Sequence, residues 1–275
     1  MGNQPLKPMP LTDEQKEKYQ KAREILKGYD RLAIAFSGGA DSSLLLRLAH
    51  ETLGKNVMAL FADSVLQPAN ERQDAANTAQ SIGVTLDIVT FDPLALAEFT
   101  SNQARRCYYC KKSIFSTFID LAHRQNFPWL ADGTNRDDLS QDRPGAQAVA
   151  ELGVKSPLAE AGLTKDDVRQ LSQALGLPTW NKPSASCLAT RIPTNTRITA
   201  TDLAMVDLAE RHLHDLGYHG CRARLANTTF YLELASGDIA RLVDRREFGA
   251  VRDYLHSLGA KKVFLDLLER ASILA

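Results

Sequence analysis

The sequence predicts an α/β protein: a parallel sheet with helices on both faces, followed by a smaller α+β module. Three observations predict it. Short apolar runs of strand length alternate with helix-length amphipathic stretches, which makes successive strands parallel and covers both faces. Gly and Pro punctuate the ends of the helical stretches, as Gly83, Gly176 and Pro178 do. After about residue 195 the order becomes helix, strand, strand, helix, strand, which reads as a separate α+β unit.

Taken in order, residues 1–11 carry three prolines and read as a loose arm. Residues 12–28 predict an amphipathic helix. Leu32-Ala33-Ile34-Ala35-Phe36 predicts the first strand, and Leu44 to Leu48 lies in the helix that follows. Val57 to Ala62 predicts a buried strand, Pro68 to Ile82 a helix stopped by Gly83, and Val84 to Phe91 a third strand. Cys107 to Gln125 predicts a helix and Pro128 to Ala131 a short fourth strand. Two further helices are expected at Gly145 to Leu152 and Thr164 to Leu175. In the second module a helix over Ala200 to Leu216 precedes a strand pair, Cys221 to Leu225 and Phe230 to Leu234. One helix over Asp238 to Leu258 and a last strand over Lys262 to Leu267 complete it. The expected domains are therefore 1–195 and 196–275.

Bulk properties exclude several classes. The chain has 275 residues, 44% of them hydrophobic, enough for a full core. Its 33 basic and 33 acidic residues give zero net charge, so no global field draws in nucleic acid. No run of eighteen apolar residues predicts a membrane span, and the polar N-terminus does not read as a secretory leader. Four cysteines are too few for a disulfide scaffold of this size, and a cytoplasmic protein is expected.

In parallel sheets of this kind ligands bind beyond the carboxyl ends of the strands. Three segments fall there: Ser37 to Ser43, Asp63-Ser64 and Asp132-Gly133-Thr134-Asn135. The first reads Ser37-Gly38-Gly39-Ala40-Asp41-Ser42-Ser43, a glycine turn between strand and helix. Bare backbone amides and a helix N-terminus there suit an anion, and the glycines admit a phosphate closely. Ser37, Ser42 and Ser43 add hydroxyls. Asp41 is out of place in an anion site unless a cation such as Mg²⁺ joins it to the phosphate. The bland alternative is a glycine turn with no ligand. The segment lacks the GK[ST] ending of a Walker A loop.

Cys107-Tyr108-Tyr109-Cys110 forms a C-x-x-C at a helix start, with Cys187 far along the chain. Zinc ligation, a 4Fe–4S cluster, a redox dithiol with a separate nucleophile, and plain burial all fit these thiols. Arg105, Arg106, Lys111, Lys112 and the helix N-terminus favour thiolates, and hence ligation or catalysis. Spacing does not say whether Cys187 meets the pair. Arg222 and Arg224 alternate on a strand and so share a face, as a phosphate fork or as plain surface. Cys221 reads as an uninvolved thiol.

The loop resembles the SGGxDS signature of the PP-loop ATP pyrophosphatases, which split ATP between its α and β phosphates. Beyond it, Lys155-Ser156-Pro157-Leu158, Gly162-Leu163-Thr164-Lys165, Leu175-Gly176-Leu177-Pro178, Trp180-Asn181-Lys182-Pro183, Ser186-Cys187 and Arg191 follow one family, as do Asp132-Gly133, Asp142-Arg143-Pro144-Gly145 and Arg222-Ala223-Arg224. From about residue 20 onward the chain is similar to the LarE family, ATP-dependent sulfur transferases of nickel-pincer cofactor biosynthesis. The resemblance implies ATP and Mg²⁺ at Ser37, Gly38, Gly39, Asp41, Ser42 and Ser43, with Asp63, Ser64, Asp132, Gly133 and Lys165 as further nucleotide contacts. It places Cys187 as the sulfur-bearing residue, with Asp41 in the catalytic set; Lys111 joins that set as a candidate contact to phosphate or carboxylate, with a plain surface charge as the bland alternative. Cysteines at all three family positions, Cys107, Cys110 and Cys187, imply the type that holds a 4Fe–4S cluster. The implied substrate is a pyridinium mononucleotide whose phosphate Arg222 and Arg224 hold; Arg143 is a candidate contact to phosphate or carboxylate, and Glu210 and Glu233 are candidate contacts to a metal or the substrate ribose. A homo-oligomer formed through the second domain is implied as well. The alternative is a PP-loop enzyme that thiolates tRNA on a 4Fe–4S cluster. Against it stand the neutral charge and the lack of further paired cysteines.

Overall fold

Thr12 begins the first helix: its hydroxyl accepts the Gln15 N–H while the Gln15 side chain accepts the Thr12 N–H, a reciprocal cap. The computed structural model describes residues 11–139, 144–183, 186–268 and 270. In chain order the elements are α1 (Asp13–Lys27), β1 (Leu32–Ala35), α2 (Ala40–Leu53), β2 (Val57–Asp63), α3 (Glu71–Ile82) and β3 (Leu86–Thr90). Then come α4 (Ala97–Thr100), α5 (Arg106–Arg124), β4 (Trp129–Asp132), α6 (Arg136–Leu139), α7 (Pro144–Glu151), α8 (Pro157–Glu160) and α9 (Lys165–Ala174). After a 3₁₀ turn at Leu188–Arg191 follow α10 (Ala200–Asp215), β5 (Arg222–Ala226), β6 (Thr229–Glu233), α11 (Asp238–Asp244), α12 (Phe248–Ser257) and β7 (Lys262–Leu265).

The first four strands form one parallel sheet in the order β3-β2-β1-β4. Side chains alternate across it, so each strand feeds two cores. Leu32 and Ile34 of β1, with Val57, Ala59 and Phe61 of β2, pack under α1, α2, α3 and α9. Ala33, Met58 and Leu60 point the other way, onto Ile114, Phe115 and Phe118 of α5 and Val149 of α7. Each fully buried Leu, Ile, Val, Met or Phe among them contributes about 1.5–3 kcal/mol by leaving water. Both faces are thus covered, as the alternation of apolar strands and helices predicts. The free side of β4 is lengthened by Lys155, whose N–H donates to Leu130 O at 2.9 Å while its carbonyl accepts from Asp132 N–H at 2.9 Å.

The second sheet has the order β5-β6-β7, with β5 antiparallel and β7 parallel to β6. Asn227, at φ 56°, forms the two-residue hairpin turn between β5 and β6. Ala223, Leu225, Phe230 and Leu232 are buried on one face of this sheet. The single helix expected over Asp238 to Leu258 is two helices. Arg246 adopts φ 54° and bonds back to Val243 O at 3.0 Å, and a left-handed residue there ends α11 before α12 begins.

The described residues gather into two units. One holds those up to Asp63, Asn70–Phe91 and Cys107 to Pro183; the other holds Ser64–Ala69, Asp92–Arg106 and those from Ser186 onward. Among the described residues no helix is long and apolar enough to cross a membrane.

Candidate active site

The turn after β1 is folded by its own hydroxyls. Ser42 Oγ accepts from Ser37 N–H at 3.2 Å, lies 3.1 Å from Ser37 Oγ and donates to Gly39 O at 3.3 Å. Gly38 takes φ 71°, a conformation that side chains rarely adopt, and an added Cβ would also sit 3.0 Å from Ala75 Cβ. Gly39 is the N-cap of α2 and supplies no side-chain cap. The first-turn amides of α2 therefore face outward at the positive end of the helix dipole, an arrangement that suits a phosphate.

Asp41 stands on that first turn. Its Oδ1 accepts from Asn135 Nδ2 at 2.8 Å. Asn135 is fully buried, and its Oδ1 in turn accepts the N–H groups of Asp137 at 3.0 Å and Asp138 at 3.2 Å. Burial lifts the Asp41 carboxyl above the usual carboxylate range; Asn135 pulls it down and the Asp138 charge pushes it further up. A partly desolvated carboxylate beside a second carboxylate, at the mouth of an anion cradle, has the donor chemistry for Mg²⁺. Lys165 Nζ lies 3.2 Å from Asp138 Oδ1, so this lysine belongs to the same cluster.

The loop after β4 supports the cradle from the side. A Cβ on Gly133 would fall 2.8 Å from Ser42 N, so only glycine lets this backbone lie against the start of α2. Asp132 is buried and its oxygens accept from Thr134 N–H, Thr134 Oγ1 and Ser156 Oγ at 3.1, 2.7 and 2.8 Å. It shapes the loop. Asp63 at the end of β2 pairs with Arg72 at 2.9 Å. Ser64 belongs to the other unit, in a turn closed by Gln67 Oε1 at 3.2 Å. Lys111 lies along α7, where a Cβ on Gly145 would meet its Cδ at 3.1 Å, and its Nζ is 5.4 Å from the centre of the Phe115 ring. Arg143 lies outside the described residues.

Two residues at this site had no individual role assigned from sequence. One is Asn135, which the sequence places only within a segment at the ligand edge. The other is Lys182, whose Nζ donates to Gly38 O at 3.2 Å and to Glu71 Oε2 at 2.7 Å. Lys182 thus sets a Lys–Glu71 ion pair on the glycine turn itself.

Cys107 and Cys110 lie in the first two turns of α5, three residues apart and hence on one face; the first is exposed and the second half-buried. Cys187, half-buried, precedes the 3₁₀ turn in the second unit. None of the three is in a disulfide, and three thiols suit iron–sulfur ligation. Among the described residues no three Cys, His, Asp or Glu side chains converge on one metal-binding point. The Cys187 turn is clamped from below. Arg191 Nη1 donates to Ser186 O at 2.9 Å and Ser186 Oγ at 2.6 Å. Its Nε and Nη2 meet both oxygens of Glu210 at 2.8 and 3.0 Å. Glu210 also accepts the Ala223 N–H at 3.0 Å, so its carboxylate holds protein rather than presenting itself to a ligand. Cys221 is buried, and burial pushes its thiol up to about 12.

On β5, Arg222 lies opposite Glu233 of β6, and Arg224 opposite Tyr231. Arg224 pairs with Glu233 and donates to Thr190 O at 3.2 Å, close in sequence to Cys187.

Comparison with known proteins follows the same lines. Residues 11–139 match the model of a PP-loop domain. The chain is 37% identical over 246 residues to the pyridinium-3,5-bisthiocarboxylic acid mononucleotide synthase of Lactiplantibacillus plantarum, covering 88% of this chain and 87% of that one. It is 38% identical over 250 residues to an uncharacterised protein of Synechocystis, covering 91% and 93%. A GMP synthase of Thermosipho africanus is 29% identical over 194 residues, covering 61% of this chain but 37% of that protein.

Proposed function

The chain belongs to the family of PP-loop ATP-dependent sulfur transferases represented by the pyridinium-3,5-bisthiocarboxylic acid mononucleotide synthase, and from that premise we propose how its residues act. It is an enzyme that uses ATP to turn the carboxylates of a pyridinium dicarboxylate mononucleotide into thiocarboxylates. The observation that carries this reading is the uncapped start of α2 with the half-buried Asp41 upon it, set within a likeness that covers 88% of this chain and 87% of the relative.

A carboxylate is a poor acyl donor, because its leaving group would be oxide. The substrate carboxylate oxygen attacks the α phosphorus of ATP, the bond to the bridging oxygen breaks, and pyrophosphate departs with the electron pair. The amides of α2 and the Lys182 ammonium hold the phosphates and take up the charge that develops on the leaving group. Asp41, oriented by Asn135, and Asp138 would hold Mg²⁺, which when bound offsets phosphate charge. Sulfur then attacks the acyl carbon and AMP leaves. Cys107, Cys110 and Cys187 would hold a 4Fe–4S cluster, which supplies an iron with an open position for a transferable sulfide. Arg191 and Glu210 fix the turn that presents Cys187. Arg222 and Arg224 bind the substrate phosphate, with Arg143 and Lys111 as further contacts to phosphate or carboxylate. Thiols kept for such chemistry need a reducing compartment, which supports the cytoplasm. Tyr231 and Phe264, exposed and stacked 5.4 Å apart, support a homo-oligomer joined through the second unit.

The test is anaerobic purification with iron and acid-labile sulfide assays. About four irons per chain are expected, lost in Cys107→Ala, Cys110→Ala or Cys187→Ala. Zinc or no metal would sink the cluster and leave Cys187 as a donor of its own sulfur, read as a mass loss of one H₂S after turnover. Pyrophosphate release should be stimulated by the pyridinium mononucleotide. Stimulation by tRNA instead would overturn the substrate.

A further inference from the structure

We propose that Arg106, braced by the buried Asn102, is a positioning residue for Cys187. This deepens the reading of Cys187 as the sulfur-bearing residue and rests on it. The segment before the cysteine pair and the segment after Cys187 are joined into one clamp. Thr100 O accepts from Ile198 N–H, and Asn102 O from Asn195 N–H, each at 2.9 Å. The Asn102 side-chain amide donates to Pro193 O at 2.8 Å and to Thr196 O at 2.9 Å. Its Oδ1 accepts from Arg106 Nη1, and the same nitrogen donates to Ala189 O at 3.1 Å. All of these residues belong to the second unit. Arg106 is peptide-bonded to Cys107, and Ala189 stands two residues after Cys187. The clamp therefore grips the stem of the cysteine pair and the turn that carries the lone cysteine.

Each member is matched to its task. Asn102 is 1% exposed and takes φ 55°, a left-handed conformation that Asn tolerates better than most residues. Carbonyls only accept, so those of Pro193 and Thr196 fix the amide nitrogen on their side and leave its oxygen to Arg106. Aspartate has the same shape but no donor, and would set a carboxylate against those carbonyls. Arg106 stands in the first turn of α5, where the helix dipole disfavours a cation. Its acceptors account for it there: Nη1 carries two hydrogens, one for Asn102 and one for Ala189. Among the described residues Ala189 O otherwise accepts only from Ile192 N–H at 3.2 Å, a bond of the turn itself. Arg191 holds Ser186 O, on the N-terminal side of Cys187, and Arg106 holds Ala189 O, on its C-terminal side. A sulfur-bearing thiol works only if held to within about 0.5 Å of its productive place, and two guanidiniums on flanking carbonyls supply that restraint.

The experiment compares the full-length chain with Arg106→Gln, Arg106→Lys and Asn102→Asp, each checked for folding by urea unfolding. Iodoacetamide is applied to the metal-free proteins at pH 8. Peptide mass mapping reads Cys187 against Cys221, the buried thiol of the same unit. A loosened turn exposes the half-buried Cys187, so it should label at least about tenfold faster in Arg106→Gln and Asn102→Asp, with Cys221 still unmodified. Arg106→Lys should fall between, since it keeps the charge and loses the fork. Thiocarboxylate formed per pyrophosphate released should drop at least about tenfold in Arg106→Gln, because a misplaced nucleophile uncouples transfer from activation. An unchanged Cys187 rate in folded Arg106→Gln overturns the proposal. If that variant does not fold, an unchanged rate in Arg106→Lys overturns it equally. Cys187 and Cys221 rates that rise together, or losses of thiocarboxylate and pyrophosphate in equal measure, mean a structural role only and overturn it too. If the wild type holds no iron while Cys187 labelling still responds to Arg106, the cluster fails and the positioning role stands. A Cys187→Ala chain that still forms thiocarboxylate sinks the reading of Cys187 itself, and the proposal with it.

Discussion

Asn135 Nδ2 donates to Asp41 Oδ1 at 2.8 Å, which ties the loop after β4 to the first turn of α2 and aims a carboxylate at the phosphate cradle. The fold holds this carboxylate in partly desolvated surroundings, and its pKa is raised by burial, with Asp138 adding to the rise. An acid whose folded pKa lies above its unfolded value binds protons more readily when folded. Stability therefore falls as pH rises from the unfolded value, about 3.9, through the folded one, and stays lower above it. Asp41→Asn should accordingly melt higher than wild type at pH 7 without nucleotide or Mg²⁺, and the gain should shrink toward pH 4. The same variant should lose at least about 100-fold in pyrophosphate release, since charge stabilisation at the phosphates is lost. Thermal melts at the two pH values check the first half; a lower melting temperature at pH 7 would refute it.

Lys182 reaches the glycine turn from 144 residues away and is shared between Gly38 O and Glu71. A charge-assisted contact to phosphate is worth about 1.5–3 kcal/mol, so Lys182→Ala should slow pyrophosphate release roughly 10- to 100-fold. Lys182→Arg should restore part of that. An unchanged rate in steady-state assays at saturating ATP and at low ATP would show that the lysine only ties α3 to the turn.

The strands of the sheet and the glycine turn are legible in the sequence because both are local signals: a period of two, and glycines between strand and helix. Lys182 is not legible as a site residue, nor is the contact of Asn135 to Asp41, because only packing of the whole first unit brings them to α2. Glu210 reads from sequence as a ligand contact, since pattern shows that it is acidic but not that it is buried. In the structure Arg191 and the Ala223 N–H take both its oxygens. The break between α11 and α12 carries no Gly or Pro. It is made by Arg246 in a left-handed conformation, which periodicity does not reveal.

The Arg191–Glu210 pair is 8% and 7% exposed, so removing one partner strands a buried charge. Glu210→Ala should destabilise the chain by about 3–5 kcal/mol. Replacing both, as Arg191→Met with Glu210→Leu, should cost less than the single change. Urea unfolding measures both variants. Because Arg191 also holds Ser186 O, the double variant should remain folded yet transfer sulfur poorly.

The four thiols should separate cleanly by reactivity. Cys107 is exposed on α5, whereas Cys221 is 4% exposed with its thiol pushed up to about 12 by burial. At pH 8, iodoacetamide on the metal-free chain should label Cys107 within minutes and leave Cys221 unmodified until denaturant is added. Peptide mass mapping reads the order. Cys221→Ala should retain full activity, and early labelling of Cys221 would contradict its burial.

Gly133 tests whether the loop after β4 is part of the nucleotide site or merely near it. A Cβ there would stand 2.8 Å from Ser42 N and 3.1 Å from the Asp41 carbonyl carbon, both backbone atoms of the α2 start. A flexible side chain could move aside, but the first turn of a helix cannot do so without turning its amides. Gly133→Ala should therefore cost about 1–3 kcal/mol of stability through overpacking. It should also raise the KM for ATP by tenfold or more, because the displaced amides are the phosphate donors (on the order of 1–1.5 kcal/mol per contact). Gly249→Ala on α12, whose Cβ would meet open space, is the control and should leave the KM for ATP unchanged. A Gly133→Ala enzyme that loses stability but keeps its KM would show that α2 tolerates the shift and that its amides are not the contacts that bind ATP.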